Sequence, residues 1–424
     1  MGSVVEIAPL TRLEGHGSVR VFREGCRVER VELHFDDSPR LFEALLLGKS
    51  YAEVPDIVCR ICSLCSTVHK VTALLAVEDA LGVEVSEVTT LTRDLMLQAG
   101  MIQDHALHLY CLVLPDLLGV RGVAELAQVA PDLLKTGLAV KKAGNQILET
   151  VGGRLIHPVN IRLGGLGRAL GKKELVRLRD ELAKVLPAAQ EAHRLFSTPF
   201  PFPDLPEPEY IALQPADNPL GAQLLRMSDG SSFPVRDYRR HIEETVVGHS
   251  NAKLSRVFGK HATVGSLARL NLDATGLEAG AAALFAGHKH ELAGKDMRGN
   301  NLAQAIEMCH ATERALRLLD RLIELGARSE AAAEPSPRAG TGCAAGEAPR
   351  GVLIHSYSFD GRGICTGADV ITPTALNQGA LARDLEALAR GMEGEETSRM
   401  TTALERLIRC YDPCISCSVH VLSL

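Results

Sequence analysis

The sequence predicts a mainly α-helical protein with small β elements, of the α+β class. Apolar residues recur at three- and four-residue spacing over long stretches, and residues 91–118 carry an apolar face broad enough to be largely buried. Residues 3–36 instead alternate apolar and polar positions around Gly25, which predicts a β-hairpin. A second β element is predicted at 351–357 and 368–371, on either side of a glycine-rich turn.

Helical spacing predicts further helices at 71–80, 131–151, 172–196, 301–325, 375–391 and 395–410. The proline-rich stretch 198–236 predicts a long irregular crossing. Residues from about 327 to 348 are rich in Ala, Gly, Ser and Pro and poor in bulky apolar residues, which predicts an exposed loop. We find no internal repeat and expect a single domain over 1–424, with an N-terminal β region at about 3–36.

The composition narrows the classes of partner. Hydrophobic residues make up 46% and charged residues 23%, which is ordinary for a protein with a large core. The net charge of −6 gives no sign of a nucleic-acid partner. No run of eighteen apolar residues predicts a membrane span, and the N-terminus lacks the features of a secretory signal, so we expect a cytoplasmic protein.

Cysteines form two clusters at opposite ends of the chain. Of eleven cysteines, three lie near the N-terminus and three near the C-terminus: Cys59, Cys62, Cys65, Cys410, Cys414 and Cys417. In each cluster two cysteines are separated by two residues, which places both sulfurs within reach of one ion. Four such thiolates suit zinc, an iron–sulfur cluster, or nickel with iron. Spacing alone favours a structural zinc site with four cysteine ligands, although zinc ribbons usually join their pairs over about 15–20 residues.

The residues that flank the two pairs decide between these metals. The first motif reads Arg60-Ile-Cys62-Ser-Leu-Cys65-Ser-Thr-Val-His69, and the second reads Asp412-Pro413-Cys414-Ile-Ser-Cys417-Ser-Val-His420. They resemble the two nickel-binding motifs of nickel–iron hydrogenase large subunits. The resemblance extends to residues 6–17, with Arg12, Glu14 and His16, and to four further segments. These are Pro39-Arg40-Leu-Phe-Glu43, Asp104-His105-Ala-Leu-His108, Pro349-Arg350-Gly351 and Thr372-Pro373-Thr374.

Within that family the chain is most similar to the alpha subunits of cytosolic, NADP-linked hydrogenases of the sulfhydrogenase type. The segments that carry this are the tail from Tyr411 to His420 and Glu347-Ala-Pro-Arg-Gly351. One departure from the wider family is Ser63, where glycine is usual; the same branch shares it. The resemblance implies a large-subunit fold with a central bundle of long helices.

The resemblance also implies a nickel–iron centre and the reversible oxidation of hydrogen. Cys62 and Cys414 would bind nickel alone, whereas Cys65 and Cys417 would bridge nickel to an iron that carries CO and cyanide. Glu14 matches the glutamate that passes protons toward solvent. Read without the motif around it, Glu14 would be a carboxylate that pairs with Arg12.

Other residues match positions around the metals. Arg350 would lie over the open metal position with Pro349 beside it, and Asp412 and Asp104 would hold its guanidinium. Thr374 would hydrogen-bond a cyanide, and His69 a bridging thiolate. Glu43 and His420 would bind a hard cation, Mg²⁺ or iron, near the C-terminus. The remaining candidates are expected to be ordinary buried cysteines or core histidines: Cys59, Cys410, His105, His108 and His310.

The chain has neither further cysteine clusters for iron–sulfur relays nor a glycine-rich nucleotide motif. Electrons would therefore leave through an iron–sulfur small subunit, toward iron–sulfur and flavin/NADP diaphorase subunits that hold those cofactors. NADP is the expected acceptor, with sulfur or polysulfide as a further one. NAD, a deazaflavin or a heterodisulfide reductase remain alternatives, and outside this class so do a structural zinc protein and the quinone-site subunit of respiratory complex I.

The resemblance implies maturation of the C-terminus. Once nickel has been inserted by dedicated factors, a protease would cut after His420 and remove residues 421–424. Before that cut, the tail would keep the last segment from closing over the metals.

Overall fold

The computed structural model describes residues 2–38, 41–214, 224–293, 296–326 and 335–418. The helices, in chain order, are α1 Phe42–Leu46, α2 Val54–Val58, α3 Ser66–Leu81, α4 Glu87–Leu107, α5 Leu114–Leu118, α6 Val123–Val129, α7 Pro131–Gly152, α8 Lys172–Glu191, α9 His193–Phe196, α10 Ser266–Leu272, α11 Ala279–Leu292, α12 Asn300–Leu325, α13 Pro373–Gly391, α14 Thr397–Tyr411 and α15 Ile415–Ser418. The strands are β1 Gly2–Ile7, β2 Gly17–Glu24, β3 Arg27–Phe35, β4 Ile161–Arg162, β5 Gly165–Leu166, β6 Ile211–Leu213, β7 Leu224–Met227, β8 Ser232–Pro234, β9 Ile242–Val246, β10 Lys253–Val257, β11 Gly340–Ala348, β12 Gly351–Phe359 and β13 Cys365–Ile371. The α+β prediction is confirmed.

The N-terminal region is an antiparallel sheet in the order β1-β2-β3. The predicted hairpin around Gly25 is its β2–β3 half, and β1 adds a third strand that pairs with β2 from Gly2 opposite Glu24 to Ile7 opposite Val19. Because side chains alternate along a strand, Val19 and Val21 point the same way and are fully buried. The sheet packs toward α13 through β3 and fixes the chain start against the C-terminal helices.

Four long helices form the centre of the molecule. α4 packs against α7 and α12, and α8 packs against α7 and α12. Their apolar faces merge into one core that includes Leu95, Ile147 and Ile306, all fully buried. The helices predicted at 131–151, 172–196 and 301–325 are confirmed, with α9 completing the second.

A π-helical turn interrupts the longest predicted helix. Residues His108–Val113 form this turn between α4 and α5, where spacing had indicated one continuous helix over 91–118. π-turns occur as single turns inside α-helices, frequently at functional sites. Here the turn follows directly on Asp104 and His105, whose side chains are fully buried.

The second sheet has the order β11-β12-β13, and two of its strands are the predicted ones. The exposed loop predicted at about 327–348 is wrong over Gly340–Ala348, which is the buried strand β11. The small residues reflect close packing: a Cβ on Gly342 would lie 2.0 Å from the Ala76 carbonyl oxygen of α3. A composition typical of loops is thus also that of a strand pressed against a helix.

The described residues contain helices of up to 26 residues. No single helix among them combines enough length with enough apolar character to cross a bilayer. Glu87–Leu118 and Val123–Val129 reach the threshold only as a pair, and that pair is bent by 69°.

Candidate metal centre

The four predicted metal-binding cysteines meet in the interior. The sulfur atoms of Cys62, Cys65, Cys414 and Cys417 all lie within 4.8 Å of one another. The Cys62 and Cys414 sulfurs are 3.2 Å apart, and those of Cys414 and Cys417 are 2.6 Å apart. All four side chains are buried, the most exposed at 4%. In the described part of the chain, this is the group of His, Cys, Asp and Glu residues with the geometry to hold a metal ion.

The first pair is positioned by helix α3. Cys65 immediately precedes the helix, and its carbonyl accepts the first-turn N–H of His69 at 3.1 Å. The Cys65 N–H points at the sulfur of Cys62, 3.5 Å away. Because a helix N-terminus carries partial positive charge and this N–H donates to the sulfur of Cys62, the arrangement favours a thiolate at Cys62.

The second pair follows a sharp change of direction at Asp412. This residue caps α14 in a left-handed conformation, with φ 48° and ψ 55°, which aspartate tolerates better than most residues. The chain then enters Cys414, whose backbone N–H donates to Thr374 Oγ1 at 3.0 Å. The two cysteines lie on either side of one short turn, and Cys417 N–H donates to Cys414 O at 3.1 Å.

The electrostatics of the group favour a bound cation. Burial raises the pKa of Cys414 and Cys417 well above the ordinary thiol range. Hydrogen bonding from Cys414 instead lowers the pKa of Cys62 well below it. Four thiols this close cannot all ionise by themselves, whereas a soft or borderline metal ion stabilises all four thiolates. The donor set therefore fits nickel and iron.

Arg350 lies beside the cysteines, held by the two predicted aspartates. Its Nη1 is 3.6 Å from Cys65 Sγ and 3.1 Å from Asp104 Oδ2. Its Nη2 is 3.1 Å from Asp412 Oδ1, and its Nε donates to the Asp412 carbonyl at 2.8 Å. The planar guanidinium is thus fixed from two sides in a site where all three charged groups are buried.

Glu14 is attached to the second motif rather than to Arg12. Its carboxylate accepts the Ser416 N–H at 3.0 Å and the Ser416 hydroxyl, and its carbonyl accepts the Ile415 N–H at 3.1 Å. Arg12 pairs with Asp116 at 2.6 Å, so the alternative of a Glu14–Arg12 pair does not hold. Glu14 is half-buried and contacts the second cysteine motif through Ser416.

A small cavity of about 10 Å³ lies against the cysteines, near the smallest space that holds one water. Thr374, Pro373, His69 and Arg350 line it together with Cys65, Cys414 and Cys417. Since Thr374 Oγ1 accepts from the backbone, its hydroxyl hydrogen is available to donate.

Glu43 is set apart from the cysteine group and holds a lysine. Its Oε1 accepts from Lys253 Nζ at 2.7 Å and from Val370 N–H at 3.0 Å. Lys253 also contacts Glu244 at 2.8 Å, and burial raises the pKa of Glu244 to about 7. The predicted partner of Glu43, His420, lies outside the described residues, as do Pro39, Arg40 and the tail 421–424.

The remaining histidine candidates divide by burial. His105 contacts Glu307 at 3.1 Å, and His108 contacts Gln304 and the Arg409 carbonyl, so both have core partners as expected. His310 accepts the Glu278 N–H. His16 is exposed and contacts Asp37 away from the cysteines.

Cys59 and Cys410 lie outside the metal-binding group. Cys59 donates to the Asp56 carbonyl, and Cys410 accepts from Asn301. Both are buried, as expected of ordinary core cysteines.

Sequence reasoning missed three groups around the centre. Ser416 stands inside the second motif, so its position alone could have indicated it. The other two are His355, which contacts His69, and Tyr357, which contacts His355. Both lie on β12, and His355 is 286 positions after His69 in the sequence. No local pattern marks them, because only the packing of α3 on the β11–β13 sheet brings them together.

Comparison with known proteins identifies the family. The model of the nickel-dependent hydrogenases matches residues 40–182 and 235–420. The chain belongs to the nickel-dependent hydrogenase family. This hydrogenase is 35% identical to sulfhydrogenase 2 subunit alpha of Pyrococcus furiosus in an alignment of 428 positions, which covers 99% of this chain and 100% of that relative. It is 30% identical to NAD-reducing hydrogenase HoxS subunit beta of Cupriavidus necator, over 100% of this chain and 96% of the relative.

A solved hydrogenase shares the whole fold. The structure of an NAD+-reducing NiFe hydrogenase in the H2-reduced state superposes with a TM-score of 0.89 at 26% identity, over 99% of both chains. The hydrogenase described here therefore has the nickel–iron hydrogenase large-subunit fold that its motifs predict, including the central bundle of long helices.

Proposed function

We propose that this chain is the catalytic subunit for the reversible oxidation of hydrogen to two protons and two electrons. The observation that carries the proposal is the buried group of four cysteine sulfurs within 4.8 Å, with the guanidinium of Arg350 at 3.6 Å from Cys65. A structural zinc site would need the thiolates but not a buried arginine beside them. Membership of a nickel-dependent family also favours nickel over zinc.

Cys62 and Cys414 would bind nickel as terminal ligands, and Cys65 and Cys417 would bridge it to iron. When bound, the nickel–iron centre, with CO and cyanide on iron, supplies the polarised open position at which hydrogen is split. Thr374 would donate its hydroxyl hydrogen to a cyanide, and His69 would hydrogen-bond a bridging thiolate. Pro349 continues the chain into Arg350, and burial of the whole group keeps bulk water out.

The chain's own residues then manage charge and protons. Asp104 and Asp412 hold the Arg350 guanidinium in one orientation, so that it presents a fixed positive charge to the cavity. Glu14 would take the proton from the cysteine side and release it toward solvent, since it is half-buried and anchored to the second motif.

A hard-cation site at Glu43 is the weaker part of the cofactor assignment. The described residues near it supply the Lys253 ammonium, which occupies one carboxylate oxygen of Glu43. They do not make an oxygen-rich site for Mg²⁺ by themselves. The proposal that Glu43 and His420 bind Mg²⁺ or iron therefore rests on the motif.

We further propose that electrons pass through an iron–sulfur small subunit to NADP(H), and onward to sulfur or polysulfide, in a cytoplasmic complex. Among the described residues there is no second metal-binding cysteine group, so the relay must lie on partners. Similarity to a sulfhydrogenase alpha subunit supports this acceptor. The NAD-reducing relative supports NAD as the alternative.

The test is metal analysis and assay of the complex purified without oxygen. We expect nickel and iron together, hydrogen-dependent reduction of NADP faster than of NAD, and a chain mass lacking residues 421–424. A Cys65→Ser complex is the matched control for the centre. Zinc alone would overturn the hydrogenase proposal, whereas faster reduction of NAD than of NADP, with nickel present, would overturn only the acceptor.

A further inference from the structure

A line of three buried side chains begins at the cavity beside the cysteines, which His69 lines. His69 Nδ1 lies 3.1 Å from His355 Nε2, and His355 Nδ1 contacts the hydroxyl of Tyr357. The three residues are at most 1% exposed. His69 is on α3, and the other two lie two positions apart on β12, so they share one face of that strand.

The hydroxyl of Tyr357 sets the direction of these hydrogen bonds. Among the described residues its hydrogen-bond partner is His355 Nδ1. Burial raises the pKa of Tyr357 well above its ordinary value, so the phenol keeps its hydrogen. Leaving that buried O–H without an acceptor would cost more than leaving one oxygen lone pair unused. The phenol therefore donates, and His355 Nδ1 accepts.

The remaining protons follow from the structure of a neutral imidazole, in which one nitrogen donates and the other accepts. With its Nδ1 accepting, His355 carries its hydrogen on Nε2 and donates to His69 Nδ1. His69 then carries its own hydrogen on Nε2. Its ring lines the cavity beside Cys65 and Cys417, and its Nδ1 is turned to His355.

We propose that Tyr357 and His355 are positioning residues, which form a one-directional chain of donors that turns the Nε2–H of His69 toward the thiolates. Aligned hydrogen bonds polarise one another, so the phenol strengthens the last donor in the chain. The chain thereby adds positive potential beside the thiolates, in addition to that of Arg350. This inference rests on the proposed function for its consequence, but the proton positions do not require a bound metal.

The first experiment reads the proton positions directly. The full chain, before metal loading, is labelled with 15N only in histidine, and His69→Gln and His355→Gln variants assign the two rings. We expect both rings neutral, each with a protonated Nε2 and a bare Nδ1. A protonated Nδ1 on either ring would overturn the proposal, whatever the complex does with hydrogen.

The second experiment tests the coupling with Tyr357→Phe, which removes only the phenol oxygen. Losing one buried hydrogen bond should lower the preference for the Nε2–H form by about 2- to 10-fold and shift the His355 Nδ1 resonance. The matched control is Tyr238→Phe, which loses a buried phenol bond to Asp369 on the neighbouring strand. We expect this control to leave both rings unchanged.

In the metal-loaded complex the same pair of variants gives an independent readout. A weaker donor leaves more electron density on the metals, so Tyr357→Phe should move the CO and cyanide stretching bands to lower wavenumber. Tyr238→Phe should leave them in place. If Tyr357→Phe changes neither the nitrogen resonances nor the bands, Tyr357 has no positioning role. If the complex lacks nickel altogether, the proposed function fails while the nitrogen measurement still decides the chain of donors.

Discussion

The two cysteine pairs enter one centre but are held by different means. The first pair belongs to a long helix: Cys65 precedes the sixteen residues of α3, nearly all of them buried, and backbone hydrogen bonds fix its geometry. In the second pair, Cys414 immediately precedes the four-residue helix α15 and Cys417 lies within it, and this helix is too short to be stable alone. Thr374 and Glu14, distant in sequence, supply the contacts that place it.

This difference shows where the centre is open to change. Ligands on a long buried helix depend on the core as a whole, which tolerates the loss of one polar contact. Ligands on a short segment depend on a few named hydrogen bonds. Substitutions outside the motifs should therefore affect the second pair more than the first.

Removing a ligand should have the largest effect, and the same effect on either pair. We expect Cys414→Ser and Cys62→Ser each to lose nickel and activity. The loss of nickel affinity should exceed the roughly 10–100-fold that follows when a ligand loses its hydrogen-bond partner. Elemental analysis measures this. Cys410→Ser, a buried cysteine outside the group, should retain nickel. Nickel retained in Cys62→Ser but lost in Cys414→Ser would show that the pairs are not equivalent ligands.

Arg350 contacts Cys65 of the first pair and Asp412 of the second motif, so we expect its substitution to have the second largest effect. Arg350→Met leaves Asp104 and Asp412 buried without their cation, which should cost about 3–5 kcal/mol of unfolding free energy. Urea unfolding of the metal-free chain measures the loss. Arg362→Met is the control and should change little, because Arg362 is exposed and its ion pair with Asp360 lies at the surface. Equal stability of the two variants would contradict a stabilising role for the ion pairs of Arg350 with Asp104 and Asp412.

Substitution of Glu14 distinguishes a role in proton transfer from a role in assembling the second pair. Glu14→Gln keeps an oxygen acceptor for Ser416 but removes the proton-accepting carboxylate. We expect nickel content to stay and hydrogen oxidation to fall by about 10²–10⁴-fold. Glu14→Asp should recover part of the rate. Loss of nickel in Glu14→Gln would instead mean that the residue serves assembly.

The smallest expected effects come from removing one hydrogen bond beside each cysteine pair, which compares how the two pairs are held. Thr374→Val leaves the buried N–H of Cys414 without an acceptor, at about 1–3 kcal/mol. Ser66→Ala removes the acceptor of the half-buried His157 N–H beside the first pair, at about 0.5–1.5 kcal/mol. Thermal unfolding, with Thr374→Ser as the conservative control, should rank them in that order. The reverse order would contradict the idea that the second pair depends more on side chains.

Much of the centre could be predicted because its signal is local. Each pair has two residues between its cysteines, and Arg60 precedes one pair while Asp412 precedes the other. Each motif can therefore be recognised within one short segment of the sequence. Arg350 and Glu14 were reached through their short flanking motifs. The helices were predictable for the same reason, since their apolar spacing is read along a single segment.

What could not be predicted depends on packing between distant segments. β11 has a loop-like composition because α3 leaves no room for larger side chains, and only the folded neighbour shows this. Ser416, His355 and Tyr357 gain their contacts from other side chains that the fold brings near. The π-turn at 108–113 likewise leaves the apolar spacing of its helix almost unchanged.

The contact between Glu14 and Ile415 joins the first strands to the final turn of the described chain. It has a consequence for the order in which the protein is made. Chains fold from the N-terminus as they leave the ribosome, so the bundle and both large sheets can form while Cys414 and Cys417 are still being synthesised. Cys414 and Cys417, half of the proposed ligands, thus join the centre after the residues that surround it have folded. Metal can be enclosed only once this final turn docks beside residue 14.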